Sequence, residues 1–437
     1  MDYIIILPHQ LFPISFYKDL KIKNIYFYHH KYFYNPKFNK KKLLLHLLSS
    51  NDYISLLKKN NFHVKEGNTL PKNNIYHIYN PIEYKLMNEF KKLKNITFYD
   101  TPMFILPNHK LKDFNSNSQI AFYTKMRKEY NILPNHKRSY DKDNRDPLPK
   151  NMLNKIPNIP NLKIKYNKEA NYIDNKFKST IGNTNNFNFP INRKQALIWL
   201  NDFIKNRLKY FGQYQDAIVI EYNTLFHSIL SPAINIGLIT PIEVINAIIK
   251  TKSPINSKEG FIRQILGWRE FMRLQYCLNR NDIIKSNFFN AKKKLNKSWY
   301  NGTTAIEPLN KIIIKGIDTG YLHHIERLMI VANIMTLEGI NPKDMNNWFM
   351  EFSVDSYEWV MIPNVYGMAS YAYTKLSTKP YISTSNYYTK MTISLDGKKP
   401  KRIEYWDNLF WKFIKKHKNK INKINRMKQF IYMLEKK

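Results

Sequence analysis

The sequence is poor in cysteine and has no long apolar run. Cys277 is the single cysteine in 437 residues, which excludes disulfide bonds within the chain and any metal or iron–sulfur site that needs several thiolates. No apolar run approaches the roughly 20 residues that span a bilayer. The segment from Met1 to Pro8 lacks the basic flank and the small-residue cleavage site of a signal peptide. We therefore expect no membrane segment and an intracellular protein.

Acidic residues are also scarce. The chain has 33 Asp and Glu against 70 Lys and Arg, a net charge of +37. Such an excess favours a polyanionic partner such as DNA or RNA, although AT-rich coding DNA would produce part of this lysine content. Hydrophobic residues make up 43% and aromatic residues 15% of the chain, which indicates a folded protein and not a disordered one.

Short apolar runs alternate with helical stretches over residues 1–130. The runs cover 3–7, 25–28, 75–79 and 96–99, and a clear helical stretch covers 40–50. This alternation predicts a doubly wound α/β domain over 1–130. Ligands of such domains bind at the carboxyl ends of the strands, where His9 and Gln10 follow the first run. The domain has no glycine-rich phosphate loop, which argues against a dinucleotide site there.

Composition changes twice further along the chain. Proline, asparagine and lysine dominate residues 131–190, a segment that we interpret as a long extended connector. Residues 191–437 show helical apolar spacing and predict an all-α domain rich in tryptophan. The predicted helices cover 193–208, 241–251, 258–279, 319–338 and 342–352.

Two adjacent histidines lie in the helix predicted over 319–338. His323 and His324 stand at the edge of its apolar face, close to Arg327. Imidazoles change charge near neutral pH, so such a pair suggests proton chemistry or a phosphate contact. The alternative is a buried histidine with satisfied hydrogen bonds.

Three other segments carry candidate chemistry. The loop 226–238 brings Ser228 and Ser231 to a helix start that can hold a phosphate, or that is simply capped by its hydroxyls. The helix 263–273 carries arginines and Trp268, which suit a phosphate-bearing planar ligand or an unstacked base, or form a solvated face. Asp355 can pair with Arg327 inside a polar cavity.

In this order, the segments of the chain resemble the photolyase/cryptochrome superfamily. The resemblance is to its prokaryotic (6-4) photolyases, also called iron–sulfur bacterial cryptochrome/photolyase or photolyase-related proteins. It extends along nearly the whole chain. The segments that carry it are 7–12, 122–127, 141–145, 211–217, 227–238, 267–273, 321–329, 358–360, 363–368 and 379–381.

The resemblance implies a photolyase-like fold, in which an α/β antenna domain is joined by a linker to an all-α domain that binds FAD. It implies light-driven electron transfer from reduced FAD to a UV lesion flipped out of double-stranded DNA. It also implies an antenna, 6,7-dimethyl-8-ribityllumazine, in the N-terminal domain. We expect a monomer.

The same resemblance assigns roles to individual residues. His324 would be the proton donor to a (6-4) lesion, with His323 as its support. The expected flavin-binding residues are Ser228, Leu230, Ser231, Arg269, Arg327 and Asp355. The expected residues of the base-binding cavity are Gln264 and Trp268, and those of the electron relay are Trp348, Tyr300 and Trp299.

The chain departs from the family pattern at three places. The four cluster cysteines would fall near Pro308, in 392–402 and near Glu404, and none is present, so we expect no iron–sulfur cluster and a C-terminal cap packed by Trp406, Phe410, Trp411 and Phe413. Met361 replaces a glutamate expected near the flavin, and Phe349 replaces a tyrosine beside the relay tryptophan.

Three functions stay open at this point. The first is light-dependent repair, of either the (6-4) product or the cyclobutane dimer. The second is a cryptochrome-like blue-light photoreceptor that does not repair DNA. The third is a nonenzymatic DNA-binding protein, which would have no need of a buried Arg327–Asp355 pair.

Overall fold

A parallel sheet organises the first part of the chain in the computed structural model, which describes residues 1–136, 139–395 and 400–435. Its strands are β1 (Asp2–Ile6), β2 (Asn24–Tyr28), β3 (His63–Gly67), β4 (Ile75–Tyr79) and β5 (Ile96–Tyr99). They are hydrogen-bonded in the order β3-β2-β1-β4-β5, and every neighbouring pair is parallel. The helices in this part are Ile14–Lys18, Lys40–Lys59, Tyr84–Phe90 and Gln119–Glu129. The predicted doubly wound α/β domain is confirmed.

The strands differ in how well their sequences reveal them. Ile4, Ile5 and Ile6 in β1 are fully buried, and a strand covered on both faces reads as a continuous apolar run. The edge strand β3 was missed, because its residues are mostly exposed or half-buried and polar.

The strand order of the sheet reverses between β1 and β4. This is the switch point at which ligands of such sheets bind. His9 and Gln10 follow β1 at this point and are fully buried. The His9 Nε2 lies 3.0 Å from the Pro81 carbonyl oxygen, and Gln10 donates to the Tyr79 carbonyl at 2.6 Å. These two side chains therefore link the ends of β1 and β4.

The connector was predicted to be extended, but it is not extended throughout. It contains the helix Asn167–Lys176, which packs against Lys40–Lys59 and places Asp174 2.8 Å from Lys40. The sequence does not reveal this helix, because most of its residues are polar and its buried positions are Ala170 and Ile173. Residues 137–138 of the connector lie outside the described residues. One hydrophobic core extends from the sheet into the helical part, so the boundaries at 130 and 190 stay predictions.

The chain after the connector is helical, which confirms the predicted all-α region. The helices are Arg193–Asp202, Leu208–Tyr214, Ser231–Asn235, Pro241–Ile249, Ile255–Ile262, Glu270–Lys285, Ser298–Asn301, Glu307–Thr319, Asn333–Leu337, Pro342–Phe352, Glu358–Ile362, Asn386–Met391, Ile403–Lys416, Lys418–Ile421 and Lys428–Glu435. Wide π-helical turns occupy Phe203–Arg207, Arg263–Arg269, Glu326–Ala332 and Pro363–Ala369. Two short strands, Ile218–Val219 and Thr392–Ile393, pair in parallel.

The helix predicted over 319–338 is wrong at its start. The preceding helix, Glu307–Thr319, ends at Gly320, whose φ of +67° is a left-handed conformation that stops a helix. Residues 321–323 are not helical, and the next helix begins at His324. The two histidines therefore stand in different backbone environments, His323 before the helix and His324 within its first turn.

Two of the regions expected to carry cluster cysteines, at Pro308 and within 392–402, meet at one cavity, whereas Glu404 does not line it. Pro308, Thr392, Ile393, Ser394, Pro400 and Lys401 line one cavity of about 60 Å³. Residues 396–399, within the expected stretch 392–402, lie outside the described residues. Among the described residues, no group of three or more His, Cys, Asp or Glu side chains is placed to hold a metal ion.

The C-terminal helices pack as expected. Trp406 and Phe410 are fully buried, Phe413 is nearly so, and Phe410 contacts Phe430 with ring centroids 5.1 Å apart. Within the described residues, no helix combines the length and the apolar character that crossing a membrane requires.

We predict that Gly320→Ala lowers the thermal unfolding midpoint more than Gly339→Ala does. Both glycines follow a helix with positive φ, +67° and +75°, so each alanine suffers backbone strain of about 1–2 kcal/mol. A Cβ at position 320 would lie 2.9 Å from the Val354 Cγ1, whereas a Cβ at 339 meets nothing within 4 Å. Thermal unfolding of the two variants measures the difference, and equal shifts would contradict the tight packing beside Val354.

Candidate active site

Asp355 is the centre of a buried polar network. Arg327 donates both of its terminal NH2 groups to the two carboxylate oxygens, at 2.9 and 3.2 Å. Ser231 donates to Oδ2 at 2.6 Å, and Ser353 donates to Oδ1. The expected pair of Arg327 and Asp355 is thus present, in the bidentate geometry that is the strongest form of this contact.

The network determines the charge of Asp355. Burial alone would raise the pKa of this carboxyl, but the Arg327 guanidinium and the hydroxyls of Ser231 and Ser353 outweigh it, and the pKa is lowered. Asp355 is 7% exposed. A buried carboxylate that lost its partners would cost several kcal/mol, so Asp355 depends on these partners.

A second layer holds the same segment from behind. Asn235 donates to the backbone oxygen of Asp355 at 2.8 Å, and Arg269 donates to the side-chain oxygen of Asn235 and to the Met103 carbonyl, at 3.2 Å in the latter case. The Arg269 guanidinium also packs 4.9 and 4.6 Å from the ring centroids of Phe104 and Trp359. Arg269 therefore positions Asn235, and its predicted contact with a flavin phosphate stays a prediction.

The hydroxyl loop forms a tight turn before the helix Ser231–Asn235. The backbone N–H of Leu230 donates to the Ser228 hydroxyl at 3.3 Å, and Ile229 between them has φ of +55°. Leu230 is buried, while Ser228 and Ser231 are half-buried. The turn therefore leads from Ser228 to Ser231, whose hydroxyl contacts Asp355.

His323 is buried against a histidine that the site prediction omitted. Its ring stacks on His227, with centroids 4.7 Å apart and an angle of 11° between the planes. Its Nδ1 has no hydrogen-bond partner among the described residues, and its Nε2 lies 3.5 Å from the Glu326 Oε2. Burial lowers the pKa of both histidines well below the usual value, and His323 further disfavours a charge on His227. His227 and His323 are therefore a neutral pair.

A buried ion pair supports this stack. Lys315 contacts Glu326, and it donates to the Tyr222 carbonyl at 3.2 Å. Glu326 also accepts the backbone N–H of His323 at 3.3 Å. The sequence analysis missed Lys315 and Glu326, because they lie in different helices and only the turn at Gly320 brings them together.

His324 has the opposite placement. Its side chain is exposed, whereas that of His323 is fully buried. Although the residue as a whole is exposed, desolvation of its ring by the surrounding protein lowers the pKa of His324 to about 4, and the positive charges of Arg327 and Arg145 act in the same direction. His324 and Arg327 are three residues apart on one helical turn, a spacing that places two side chains on the same face.

Gln264 and Trp268 lie on the wide turn Arg263–Arg269, and both are half-buried. Gln264 donates to the Gly260 carbonyl at 3.4 Å, and Trp268 contacts Phe271 with ring centroids 6.4 Å apart. None of their hydrogen bonds or ring contacts among the described residues reaches His324 or Asp355, so their role in a base-binding cavity stays a prediction.

The predicted relay residues form a connected aromatic group. Trp348 donates to the Trp299 carbonyl at 2.8 Å and stacks on Phe352 with centroids 4.5 Å apart. Phe352 in turn lies 5.5 Å from the Arg327 guanidinium. Tyr300 is directed elsewhere, because its hydroxyl donates to Glu351 at 2.9 Å. The structure thus joins Trp299 and Trp348 to the Asp355 network through Phe352, which the sequence analysis did not select.

The N-terminal part of the chain fastens the segment that carries Asp355. Lys42 donates to the carbonyls of Met350, at 3.3 Å, and Ser356. The backbone N–H of Asn39 donates to the Glu351 carbonyl at 2.7 Å. Burial lowers the pKa of Lys42 to about 7, against the attraction of Glu83 and Asp355. The start of the helix Lys40–Lys59 therefore helps to fix the Asp355 segment.

One further observation is consistent with a flavin at this site. Several buried polar atoms of these residues have no hydrogen-bond partner among the described residues, namely the Arg269 Nε, the His227 Nε2 and the His323 Nδ1. Buried polar atoms normally have partners. Together with the serines and the Arg327–Asp355 pair, they form a donor set suited to phosphates and to the polar edge of a heterocycle.

The chain is similar to known photolyase-related proteins. The family model of the deoxyribodipyrimidine photo-lyase-related proteins matches residues 4–189. A (6-4) photolyase of Agrobacterium fabrum is 36% identical over 329 residues, which cover 70% of this chain. The aligned part spans 64% of that relative's length.

Solved structures show the same fold. A photolyase from the archaeon Sulfolobus tokodaii, solved with two FAD molecules, aligns with a TM-score of 0.63 at 13% identity and covers 96% of this chain and 100% of its own. A class III photolyase from Agrobacterium tumefaciens aligns with a TM-score of 0.57 at 14% identity, over 89% and 86% of the two chains. The chain therefore has the photolyase/cryptochrome fold, and its sequence is similar to photolyase-related proteins, among them a (6-4) photolyase.

Proposed function

We propose that the protein is a light-driven DNA repair enzyme that acts, as a monomer, on (6-4) pyrimidine photoproducts in double-stranded DNA. The observation that carries this proposal is the placement of the exposed His324 one helical turn from the buried Arg327–Asp355 pair. An exposed imidazole can reach a substrate, while the buried pair beside it holds a cofactor. The net charge of +37 supplies the attraction to DNA phosphates.

FAD would supply the light-excited electron that opens the lesion. The residues of the chain would hold it: Arg327 and Asp355 beside its ring system, and Ser228, Leu230 and Ser231 near its phosphates. Because Asp355 is already bound by Arg327, Ser231 and Ser353, these groups need not reorganise when the flavin binds. Such preorganisation lowers the cost of binding.

The proposed lesion, the (6-4) product, is chosen because His324 can act as an acid. Reversal of a (6-4) product returns an oxygen from one base to the other and needs a proton, whereas splitting of a cyclobutane ring does not. His324 is the exposed histidine of the pair and can give this proton from its ring. The likeness to a (6-4) photolyase supports the same choice.

His227, His323, Lys315 and Glu326 would act as positioning residues. The ring stack and the bond from the His323 backbone N–H to Glu326 fix the turn that ends at His324. With His323 held inside, the next side chain is directed outward. These residues therefore affect repair through the orientation of His324 and do not touch the lesion.

The N-terminal sheet would hold the antenna, 6,7-dimethyl-8-ribityllumazine. The His9 Nδ1, the Gln10 Oε1 and the Glu83 Oε1 are buried and without partners among the described residues. His9 and Gln10 follow β1, and Glu83 follows β4, at the switch point of the sheet. These atoms are available to a polar heterocycle. We further propose that no iron–sulfur cluster is bound, which assays of iron and sulfide in the purified protein would test.

We predict that His324→Ala lowers the rate of (6-4) repair by about 10²- to 10⁴-fold, the usual contribution of a general acid. Flavin content and DNA binding should be unchanged, because His324 is exposed and has no partner in the Asp355 network. Repair of defined lesions under blue light measures the effect. Any cyclobutane repair serves as an internal control, since it needs no acid.

Other results of this assay would contradict the proposal. Full (6-4) repair by His324→Ala would contradict the assignment of His324 as the acid. Repair of cyclobutane dimers alone by the wild type would show that the substrate is the cyclobutane dimer and not the (6-4) product. A wild-type protein that holds flavin and responds to blue light, but repairs neither lesion, would instead be a photoreceptor. A protein without flavin absorption would be a nonenzymatic DNA-binding protein.

We predict that the rate of (6-4) repair, at saturating light and damaged DNA, rises as the pH falls through neutrality. The surrounding protein and the charges of Arg327 and Arg145 lower the pKa of His324, so the protonated ring is the minor form near neutral pH. Its population changes about tenfold for each pH unit in this range. A flat profile for wild type, or an unchanged slope in His324→Ala, would contradict the assignment.

We predict that Asp355→Asn lowers the affinity for FAD by about tenfold or more. The amide cannot accept both bonds from Arg327, and the guanidinium is left without its counter-charge. Glu243→Gln is a matched control, because Glu243 also accepts bonds from an arginine and a hydroxyl, at the start of the helix Pro241–Ile249. Flavin content from visible absorbance should fall in Asp355→Asn and persist in the control; equal retention in both would contradict the role of Asp355.

A further inference from the structure

A cavity of about 440 Å³ lies outside the candidate active site. Its walls come from residues 289–293, from the turn at Glu338–Gly339 and from the end of the helix Ile403–Lys416. The helical segment that begins at His324 ends at Leu337, which is about 20 Å along a helix axis. The cavity therefore lies at the opposite end of this segment from His324 and shares no residue with the Asp355 network.

One wall of the cavity is aromatic. The rings of Phe289, Phe413 and His417 form a cluster with centroid distances of 4.9, 5.0 and 4.5 Å. The two phenylalanines are buried and His417 is half-buried, so the imidazole is the ring that solvent reaches. A flat ring backed by two others is a stacking surface for a planar ligand.

The rim of the cavity is cationic. Lys292 and Lys416 are exposed and have no ion-pair or hydrogen-bond partner within the described part of the chain. Lys420 is held in place by a bond to the Phe288 carbonyl. Lys293 pairs with Glu338, the one carboxylate among the described residues of the cavity wall.

Burial and two neighbouring lysines act on the charge of His417. Burial lowers the pKa of His417 to about 4, and Lys416 and Lys420 on its own side act in the same direction. Lys292 faces the cavity from the opposite wall, where Glu338 is engaged by Lys293. The ring is therefore neutral at physiological pH, and can stack or exchange a hydrogen bond while the lysines provide the positive charge.

We propose that this cavity binds an organic phosphate that carries an aromatic ring, in the chemical class of a mononucleotide. The phosphate would lie between Lys292 and Lys416, and the ring would lie against His417. Its volume is within the range of about 300–1,000 Å³ that is usual for small-ligand sites. Lysines are frequent over the whole chain, but here they meet a concave aromatic wall, which a solvated charged face does not have.

Equilibrium binding of AMP to the full-length protein tests the proposal. FAD is kept at saturating concentration, so that adenylate does not enter the proposed flavin site. Adenosine and inorganic phosphate each supply half of the ligand. The pocket variant is Lys292→Glu with Lys416→Glu. The matched control is Lys412→Glu with Lys415→Glu, which makes the same charge change at exposed positions of the helix Ile403–Lys416 that do not line the cavity.

We expect saturable AMP binding that the pocket variant weakens by about tenfold or more, as loss of two charge-assisted contacts implies, and that the control leaves within about twofold. Adenosine and phosphate should each bind more weakly than AMP. Equal weakening by the two double variants, equal binding of adenosine, or no saturable AMP binding together with no pocket-dependent oligonucleotide binding would overturn the proposal.

A short single-stranded oligonucleotide separates the two sources of such a ligand. Binding of AMP that the oligonucleotide does not displace identifies a free nucleotide as the ligand. Binding of the oligonucleotide but not of AMP, lost in the pocket variant and kept in the control, identifies a nucleotide within a strand. The readout is occupancy and not repair, so the result is independent of the proposed function.

Discussion

The bidentate contact between Arg327 and Asp355 is the interaction on which the rest of the site depends. It joins the helical turn after His324 to the segment after Pro342–Phe352, while Ser231 and Asn235 bring the hydroxyl loop to the same carboxylate and backbone. A buried ion pair gives little net stability, so its value here lies in the geometry that it imposes. These elements are far apart in sequence, and their contacts with Asp355 hold them together in the fold.

The histidine pair shows how position divides one chemistry into two roles. Gly320 ends the preceding helix, so His323 falls before the next helix and points inside, while His324 falls on its first turn and reaches solvent. Burial and stacking on His227 keep His323 neutral. The neutral ring of His323 brings no charge into the core, and the exposed ring is free to exchange a proton. One left-handed glycine therefore separates the buried histidine from the exposed histidine, which is the proposed acid.

The sequence predicts the parts of the structure that repeat along the chain, and fails where distant residues meet. The fully apolar β1 and the helix Pro342–Phe352 were predictable because their patterns are local, whereas the polar edge strand β3 carries no such pattern. The resemblance located Arg327 and Asp355. The stack of His227 on His323 and the pair of Lys315 and Glu326 have no local signal, because each partner looks like an ordinary surface or core residue until the fold brings them together.

The replacement of a tyrosine by Phe349 leaves the aromatic contact between Trp348 and Phe352 in place. Phe349 meets Trp348 edge-on, at 90°, whereas Phe352 lies more nearly parallel to Trp348, at 34°, with a shorter distance between centroids. Phe352 also lies beside the Arg327 guanidinium. The aromatic connection from Trp348 to the ion pair therefore passes through Phe352, and a hydroxyl at position 349 would not be part of it. Removal of that hydroxyl takes away a proton donor near the tryptophan and leaves the contact itself in place.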